Sequence, residues 1–396
     1  MAFFISPKIL FGKGGLKKLE SELAGKGGKA AIITDKTMAQ QVAPLREALQ
    51  ASGLEVGIWD GAEPEPSTQV AADGGRFLSE FSPQWVVAFG GGSAIDTAKA
   101  SWILYERPDL RAEELYKTIN PKTKLNLRHK AYFMAVPTTS GTGSEATWAV
   151  ILTDREKNRK VAFANSEIVP DIALLVPDFT VKMPPHVTAS TGLDVLGHAL
   201  DGYTARQQTD FSDGLCLAAV RMCFEWLPKA FQNGNDLQAR EKMQNAAAIA
   251  GIGFGNSNTS LCHALAHSLG ALFKMPHGRA VGLTLPYSLE YIASNPPLAG
   301  APDPVERLVT VARSVGINGT SSTHSISLLL DKINQLQREI QEPVTLSEAG
   351  VSQSQFESHF GQLVLAAEKD INMYCSPCEC KGEAMQKLFQ KMWDGR

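Results

Sequence analysis

The feature that most constrains this chain is a change of periodicity at Pro184-Pro185. Up to about Met183, short β-branched runs alternate with amphipathic stretches, the pattern that builds a parallel sheet flanked by helices. Strands are expected at 30–33, 56–59, 85–89, 132–136 and 172–176. Beyond the proline pair, alternation with period two nearly vanishes and long segments with period near 3.6 take over. Helices are expected at 187–206, 211–231, 237–252 and 322–340. A chain of 396 residues fits two domains, with 1–184 as the α/β half and 185–396 as the all-helical half.

Composition narrows the function classes. With 44% apolar and 20% charged residues, each half has material for a buried core. A formal net charge of -3 gives no drive toward nucleic acid or an anionic membrane. The basic stretch 117–130, four Lys with one Arg and one His among Pro and Asn, reads as a solvated loop. No apolar run approaches the roughly 20 residues that cross a bilayer, and Met1-Ala-Phe-Phe-Ile lacks the features of a signal peptide, so the cytoplasm is the expected location. Cys216, Cys223, Cys262, Cys375, Cys378 and Cys380 are compatible with reduced thiols. Cys375-Ser-Pro-Cys378-Glu-Cys380 has no matching Cys or His pair after it, which argues against a structural zinc or cluster site.

The strand Trp85-Val-Val-Ala-Phe89 runs into Gly90-Gly91-Gly92-Ser93, and a helix is expected from Ala94. A glycine turn between strand and helix lets backbone approach phosphates, at a helix N-terminus with unpaired N–H groups. Many such turns bind nothing. A second loop, Pro137-Thr138-Thr139-Ser140-Gly141-Thr142-Gly143-Ser144-Glu145, follows another expected strand at the same carboxyl edge, where ligands of open α/β sheets lie. Two such loops point to a nucleotide. The G-x-G-x-x-G fingerprint is missing after the first strand, which ends instead in Ile33-Thr34-Asp35. Asp35 can accept hydrogen bonds from an adenosine ribose and repel a 2′-phosphate, favouring NAD; equally, it can cap the helix that follows.

Four of the eight histidines fall between 198 and 277. Asp194 and His198 are four apart, so on a helix they share a face, and His263 and His267 repeat that spacing. His277 follows in Pro276-His277-Gly278, read as a turn. A lone helical His is more often structural than a ligand, but two such pairs beside a third site favour a metal. Imidazoles with a carboxylate suit Fe(II), Zn(II), Ni(II) or Mn(II), and these residue types do not choose among them. His129, His186, His324 and His359 lack partners at such spacing and read as surface or structural.

With these motifs in hand, the chain resembles the iron-containing (group III) alcohol dehydrogenases, the family of lactaldehyde reductase and 1,3-propanediol dehydrogenase. The likeness runs from Pro7-Lys-Ile-Leu-Phe-Gly12 through Gly90-Gly91-Gly92-Ser93, Pro137-Thr138-Thr139 and Gly192-Leu-Asp-Val-Leu-Gly-His198 to His263-Ala-Leu-Ala-His267 and Pro276-His277-Gly278. It implies a Rossmann-like nucleotide-binding α/β domain followed by an all-α metal-binding, catalytic domain. It also implies that Asp194, His198, His263 and His277 ligate Fe(II), and that His267 is a non-ligand catalytic histidine near the nicotinamide. Asp35, Gly91, Gly92, Ser93, Thr138, Thr139, Thr147 and Lys160 match the family's dinucleotide contacts, and Ala149, Phe254 and Cys375 match its substrate pocket. The implied activity is NAD-dependent interconversion of a small alcohol and aldehyde, with the surplus proton relayed through ribose hydroxyls and His267.

Three departures bear on substrate. Pro64-Glu65-Pro66 stands where the family often has Pro-Asn-Pro, the ending 375–380 replaces a Cys-Thr-Pro-x-Asn-Pro-Arg type, and Trp148 adds bulk near the implied pocket. The rival readings are a zinc polyol (glycerol-type) dehydrogenase or dehydroquinate synthase of the same superfamily, and a non-enzymatic NAD- and metal-binding assembly protein. Three histidines beside the carboxylate argue against the first two, and His267 argues against the last. The family habit of pairing implies a homodimer, for which the sequence offers the apolar Phe3-Phe4-Ile5.

Overall fold

A computed structural model describes residues 4–157 and 159–395, the side chain of Asp394 apart. Met1, Ala2 and Phe3, the last being the first residue of the expected contact segment, lie outside the described residues. The chain divides into two compact units, Ile5–Lys182 and a second that begins at Met183 and runs to the C-terminus, with Phe4 joining the latter.

The first unit contains β1 (Lys8–Phe11), α1 (Gly15–Leu23), β2 (Lys29–Asp35), α2 (Ala43–Ala51), β3 (Glu55–Ala62), α3 (Thr68–Phe81), β4 (Trp85–Gly90) and α4 (Gly92–Glu106). A short α5 (Leu115–Thr118) precedes β5 (Tyr132–Pro137), β6 (Ala149–Asp154), β7 (Arg159–Ala164) and β8 (Ile172–Leu175). Six strands form one sheet in the order β1-β8-β5-β4-β2-β3, every neighbouring pair parallel. Because strand side chains alternate between faces, Val86 and Ala88 join one buried cluster while Trp85, Val87 and Phe89 join another. Helices cover both faces, so β4 is buried at all six positions. Each of the five expected strands is present. The order β5-β4-β2 sets the carboxyl ends of three neighbouring strands, at Pro137, Gly90 and Asp35, side by side.

Two features go beyond the sequence reading. β1 is a four-residue edge strand pairing β8 in register Lys8↔Ile172 to Phe11↔Leu175. β6 and β7 form a separate antiparallel ribbon in which Val150 and Leu152 are buried and Ile151 is exposed.

The second unit is all helical: α6 (Pro185–Thr204), α7 (Asp210–Gln232), α8 (Leu237–Gly255), α9 (Leu261–Phe273), α10 (His277–Ser294), α11 (Pro304–Ser314), α12 (Ser322–Glu339), α13 (Gln353–Glu368) and α14 (Glu383–Asp394). The four expected helices appear within three residues at each end. Pro184 precedes α6, with Pro185 at its first position, where a missing N–H leaves no intrahelical bond unmade. Arg240, 1% exposed, anchors this start by donating to Thr188 Oγ1 at 2.7 Å and to the Met183 carbonyl at 3.0 Å. No helix among the described residues is long and apolar enough to cross a membrane.

Candidate functional site

Within the second unit, one potential ligand atom each from Asp194, His198, His263 and His277 lies within 4.8 Å of every other. Asp194 Oδ1 is 3.7 Å from His198 Nε2, 3.9 Å from His263 Nε2 and 3.3 Å from His277 Nε2. Asp194, His198 and His263 are buried, and Asp194 Oδ1 and His263 Nε2 have no hydrogen-bond partner. Leaving a carboxylate oxygen and a ring nitrogen unsatisfied away from water is costly unless something binds them together. A divalent cation meets that need, and a set of one oxygen and three nitrogens suits Fe(II) or Zn(II). Protonation states agree. Burial opposes ionisation of Asp194, yet the imidazoles of His198, His277 and His263 hold its pKa far below the carboxylate range. Burial pushes His198 down to about 3, which leaves the ring neutral with a lone pair to donate.

Glycines allow this convergence. A Cβ on Gly278 would sit 2.0 Å from the Ser190 carbonyl oxygen, and one on Gly197 would sit 2.1 Å from Val281 Cγ1. The first turn of α10 therefore lies directly on α6, which brings His277 to Asp194. His277 is the first residue of α10 rather than part of a turn, a difference from the sequence reading. The preceding Pro276 is extended, so the helix starts at the histidine itself.

Asp201, seven residues after Asp194 on α6, was not visible as functional from spacing. Its Oδ2 lies 2.8 Å from His263 Nδ1 and accepts from the backbone N–H groups of Ser260 and His263. An acceptor at Nδ1 fixes the tautomer in which Nε2 faces the other ligands. Cys262 also lies close to Asp201 and His263. Its thiol is engaged with the Val281 carbonyl and Thr284 Oγ1, and burial raises its pKa well above the ordinary value.

His267 stands beside this group. Its ring is 5.4 Å from that of His277, centroid to centroid, and its Nδ1 is 2.8 Å from Asp370 Oδ2. Desolvation lowers the His267 pKa, opposed by the Asp370 bond. Asp370 and its neighbour Asn372, which bonds Thr259 Oγ1 at 3.0 Å, were missed. Nothing in their local sequence signals a partner on α9.

In the first unit, β4 ends at Gly90 with φ +153°, and Gly91 caps α4. A Cβ on Gly92 would lie 2.8 Å from Thr142 Cγ2, and one on Gly91 3.3 Å from Thr139 Cγ2, so the two glycine-rich loops touch. Thr138 N–H bonds the Gly90 carbonyl at 3.0 Å. Thr34 Oγ1 and Ser140 Oγ are buried without partners near these strand ends, as expected where a polar ligand completes a site. Asp35 serves as a cap: its Oδ1 accepts from Thr37 and Met38 N–H at 2.8 and 3.0 Å. Its other oxygen lies 3.6 Å from where a Cβ on Gly90 would stand, so that oxygen faces the glycine loop. Lys160, on β7, pairs with Glu65 at 2.9 Å.

Comparison with known proteins decides the family. The pattern for "Iron-containing alcohol dehydrogenase" matches residues 6–177, and that for "Fe-containing alcohol dehydrogenase family, C-terminal" matches 188–393. The chain belongs to the iron-containing alcohol dehydrogenase family. It is 33% identical to the NADPH-dependent butanol dehydrogenase of Clostridium saccharobutylicum, over 100% of this chain and 98% of that protein. It covers 95% of itself but only 44% of the aldehyde-alcohol dehydrogenase 2 of Entamoeba histolytica, at 32% identity. Among solved structures, 1,3-propanediol oxidoreductase aligns with a TM-score of 0.90 and 28% identity over 99% of this chain and 100% of that one. The sulfoacetaldehyde reductase of Bifidobacterium kashiwanohense, solved with NAD+, aligns at 0.85 and 26% over 99% and 98%.

As an iron-containing alcohol dehydrogenase, the chain is an NAD(P)-dependent alcohol/aldehyde oxidoreductase, and the zinc polyol dehydrogenase reading is not favoured. Of the pocket residues implied by resemblance, Phe254 stacks on His198 with centroids 4.1 Å apart and planes 13° from parallel. Cys375 is buried, its thiol pushed up to about 11 by desolvation, and its carbonyl accepts from Arg206 N–H. Ala149 opens β6 in the first unit.

Proposed function

We propose that this dehydrogenase interconverts small alcohols and aldehydes with NAD(H), using one divalent cation, Fe(II) foremost, held by Asp194, His198, His263 and His277. The observation that carries this reading is the buried, unpartnered Asp194 Oδ1 with three imidazole nitrogens 3.3–3.9 Å away. When bound, the cation supplies Lewis acidity to the substrate oxygen, and the nicotinamide supplies or accepts hydride. Asp201 fixes the tautomer of His263. His267, a neutral ring oriented by Asp370, exchanges the proton that balances the oxidation or reduction. Phe254 and Cys375 line the second unit's share of the substrate pocket in this reading.

The dinucleotide falls to the 1–184 half and the metal to the 185–396 half. Gly91, Gly92 and Ser93, at the N-terminus of a 15-residue helix, hold the diphosphate, while Thr138, Thr139, Thr147 and Lys160 complete the contacts. Asp35 supports NAD over NADP, since its free oxygen would face a 2′-phosphate with like charge; a relative named for NADPH makes both cofactors necessary arms of any assay. A cytoplasmic homodimer completes the proposal. The pair Phe4 and Phe211, with centroids 5.6 Å apart yet 44% and 70% exposed, supports a contact at the start of the chain.

The test is oxidation of NADH and NADPH with a panel of small aldehydes, on protein purified without air and loaded with Fe(II) or Zn(II). Turnover with Fe(II) and NADH is the expected result. Absence of turnover with every aldehyde, cofactor and metal contradicts the proposal.

A further inference from the structure

Buried and half-buried arginines in this chain are engaged through their side chains, with one exception among the described residues. Arg107, Arg128, Arg279 and Arg307 each pair with a carboxylate. Arg240 bonds Thr188 and two backbone carbonyls. Arg206, half-buried just beyond the end of α6, has no side-chain hydrogen bond and no ion pair among the described residues. A guanidinium offers five N–H donors in a fixed fork and does not shed its charge. Held partly out of water without an acceptor, such a group is costly in the protein alone, and an anion arriving from outside would complete it.

The place of Arg206 is fixed by its neighbours around the metal group. Its backbone N–H donates to the Cys375 carbonyl at 3.0 Å, and its guanidinium lies near enough to the Cys375 thiol to oppose the rise in that thiol's pKa. Asp201 acts on the same thiol, but its oxygens are engaged elsewhere, Oδ1 with Ser260 Oγ at 2.6 Å and Oδ2 with His263 and the Ser260 backbone. Cys375 ends the 3₁₀ turn Ile371–Cys375, in which Asn372 Nδ2 lies 3.5 Å from His267 Nδ1. Such a turn rises about 2.0 Å per residue, so the steps from Asn372 to Cys375 separate the two contacts by about 6 Å along the turn. On the α6 side, a Cβ on Gly202 would lie 3.1 Å from Phe254 Cα, so the end of α6 that leads to Arg206 packs on the residue whose ring stacks on His198.

We propose that Arg206 is a specificity residue that takes the far end of the substrate, and that the substrate class is a short aldehyde or alcohol carrying an oxyanion, a carboxylate or a sulfonate, opposite the reacting carbon. This rests on the dehydrogenase reading made above. In the reducing direction the carbonyl carbon takes hydride from NADH and its oxygen takes a proton from His267, while the anionic end passes through unchanged. A carboxylate matches the guanidinium fork with two parallel hydrogen bonds, which a lysine does not reproduce. A separation of about 6 Å between the contacts of His267 and Arg206 suits a short chain rather than a long one.

The experiment compares reduction of succinic semialdehyde, glutaric semialdehyde and sulfoacetaldehyde with that of uncharged aldehydes of equal length by the Fe(II)-loaded enzyme and NADH, for the native chain, Arg206→Met and Arg206→Lys. Alongside, calorimetry measures the dissociation constant of the hydroxy acid formed from succinic semialdehyde. The native enzyme is expected to favour the anionic aldehydes, and the carboxylate and sulfonate arms show which anion it takes. Loss of hydrogen bonds between charged groups predicts that the ratio of kcat/KM for anionic over uncharged aldehyde falls about tenfold or more in Arg206→Met. The dissociation constant of the hydroxy acid should rise by a similar factor, and Arg206→Lys should recover part of each. A native enzyme without preference for the anionic aldehydes overturns the proposal, as does a ratio in Arg206→Met within about twofold of native or a change confined to the KM for NADH. Should Arg206→Met not fold, Arg206→Gln is read by the same ratio. Absence of turnover with every aldehyde, charged or not, would instead sink the dehydrogenase reading.

Discussion

His267 and Asp370 are joined by a 2.8 Å contact between Nδ1 and Oδ2, spanning 103 residues of sequence. The same geometry joins His263 to Asp201, also at 2.8 Å, one helical turn earlier on α9. Two neighbouring imidazoles are thus each held by a carboxylate at Nδ1, but only His263 belongs to the four-residue metal group. His267→Ala is expected to lower turnover about 10²- to 10⁴-fold, the usual contribution of a positioned acid–base group, with bound metal retained. Asp370→Ala should lower it less. Metal analysis of both variants separates the roles: loss of the ion from His267→Ala would make His267 a ligand.

Removing the metal should destabilise the second unit. A ligand present at a hundred times its dissociation constant stabilises the state it binds by about 2.7 kcal/mol. Chelation is therefore expected to lower the melting temperature of the native chain but not of His263→Ala, as followed by calorimetry with and without chelator. Equal sensitivity in the two would contradict the assignment of His263.

Gly278→Ala tests the close approach of α10 to α6. The added methyl would stand 2.0 Å from the Ser190 carbonyl oxygen, which is backbone and has little room to yield. Such overpacking costs about 1–3 kcal/mol and should displace His277. The expected result is weaker metal binding, read as faster loss of the ion to a competing chelator. Unchanged metal retention would show that α10 tolerates the shift.

Cofactor choice rests on Asp35. Asp35→Gly is expected to narrow the preference for NADH over NADPH, measured as the ratio of kcat/KM values, because a like charge facing the 2′-phosphate is gone. An unchanged ratio would leave Asp35 as a turn cap alone.

Burial raises Glu145 to about 7 from 4.5, although Lys99 and a backbone hydrogen bond oppose the shift. Between these values the folded state holds a proton that the unfolded chain has released, so stability falls as pH rises through this window. Glu145→Gln removes the penalty. The variant should gain more stability over the native chain at pH 8 than at pH 4 in denaturant melts of the first unit; an equal difference at both would mean that Glu145 titrates normally.

Much of this was legible because periodicity and spacing record local geometry. Asp194 with His198, and His263 with His267, announce shared helix faces, and the β4 run into Gly90 announces a strand-to-helix turn. β1 escaped notice because four residues carry too little alternation. The β6–β7 ribbon escaped because Ala149, Asp154, Lys160 and Ala162 dilute its pattern with residues that strands do not favour. Asp201 and Asp370 were invisible as functional groups for a different reason. Each acts through a tertiary contact more than 40 residues away along the chain, and a buried Asp looks in sequence like any surface charge.

The cation at Asp194, His198, His263 and His277 is tested most directly by elemental analysis of protein purified without air, read beside its NADH-dependent turnover. One divalent ion per chain, lost together with turnover in His263→Ala, is the predicted result. Full turnover from protein holding no divalent ion would contradict it.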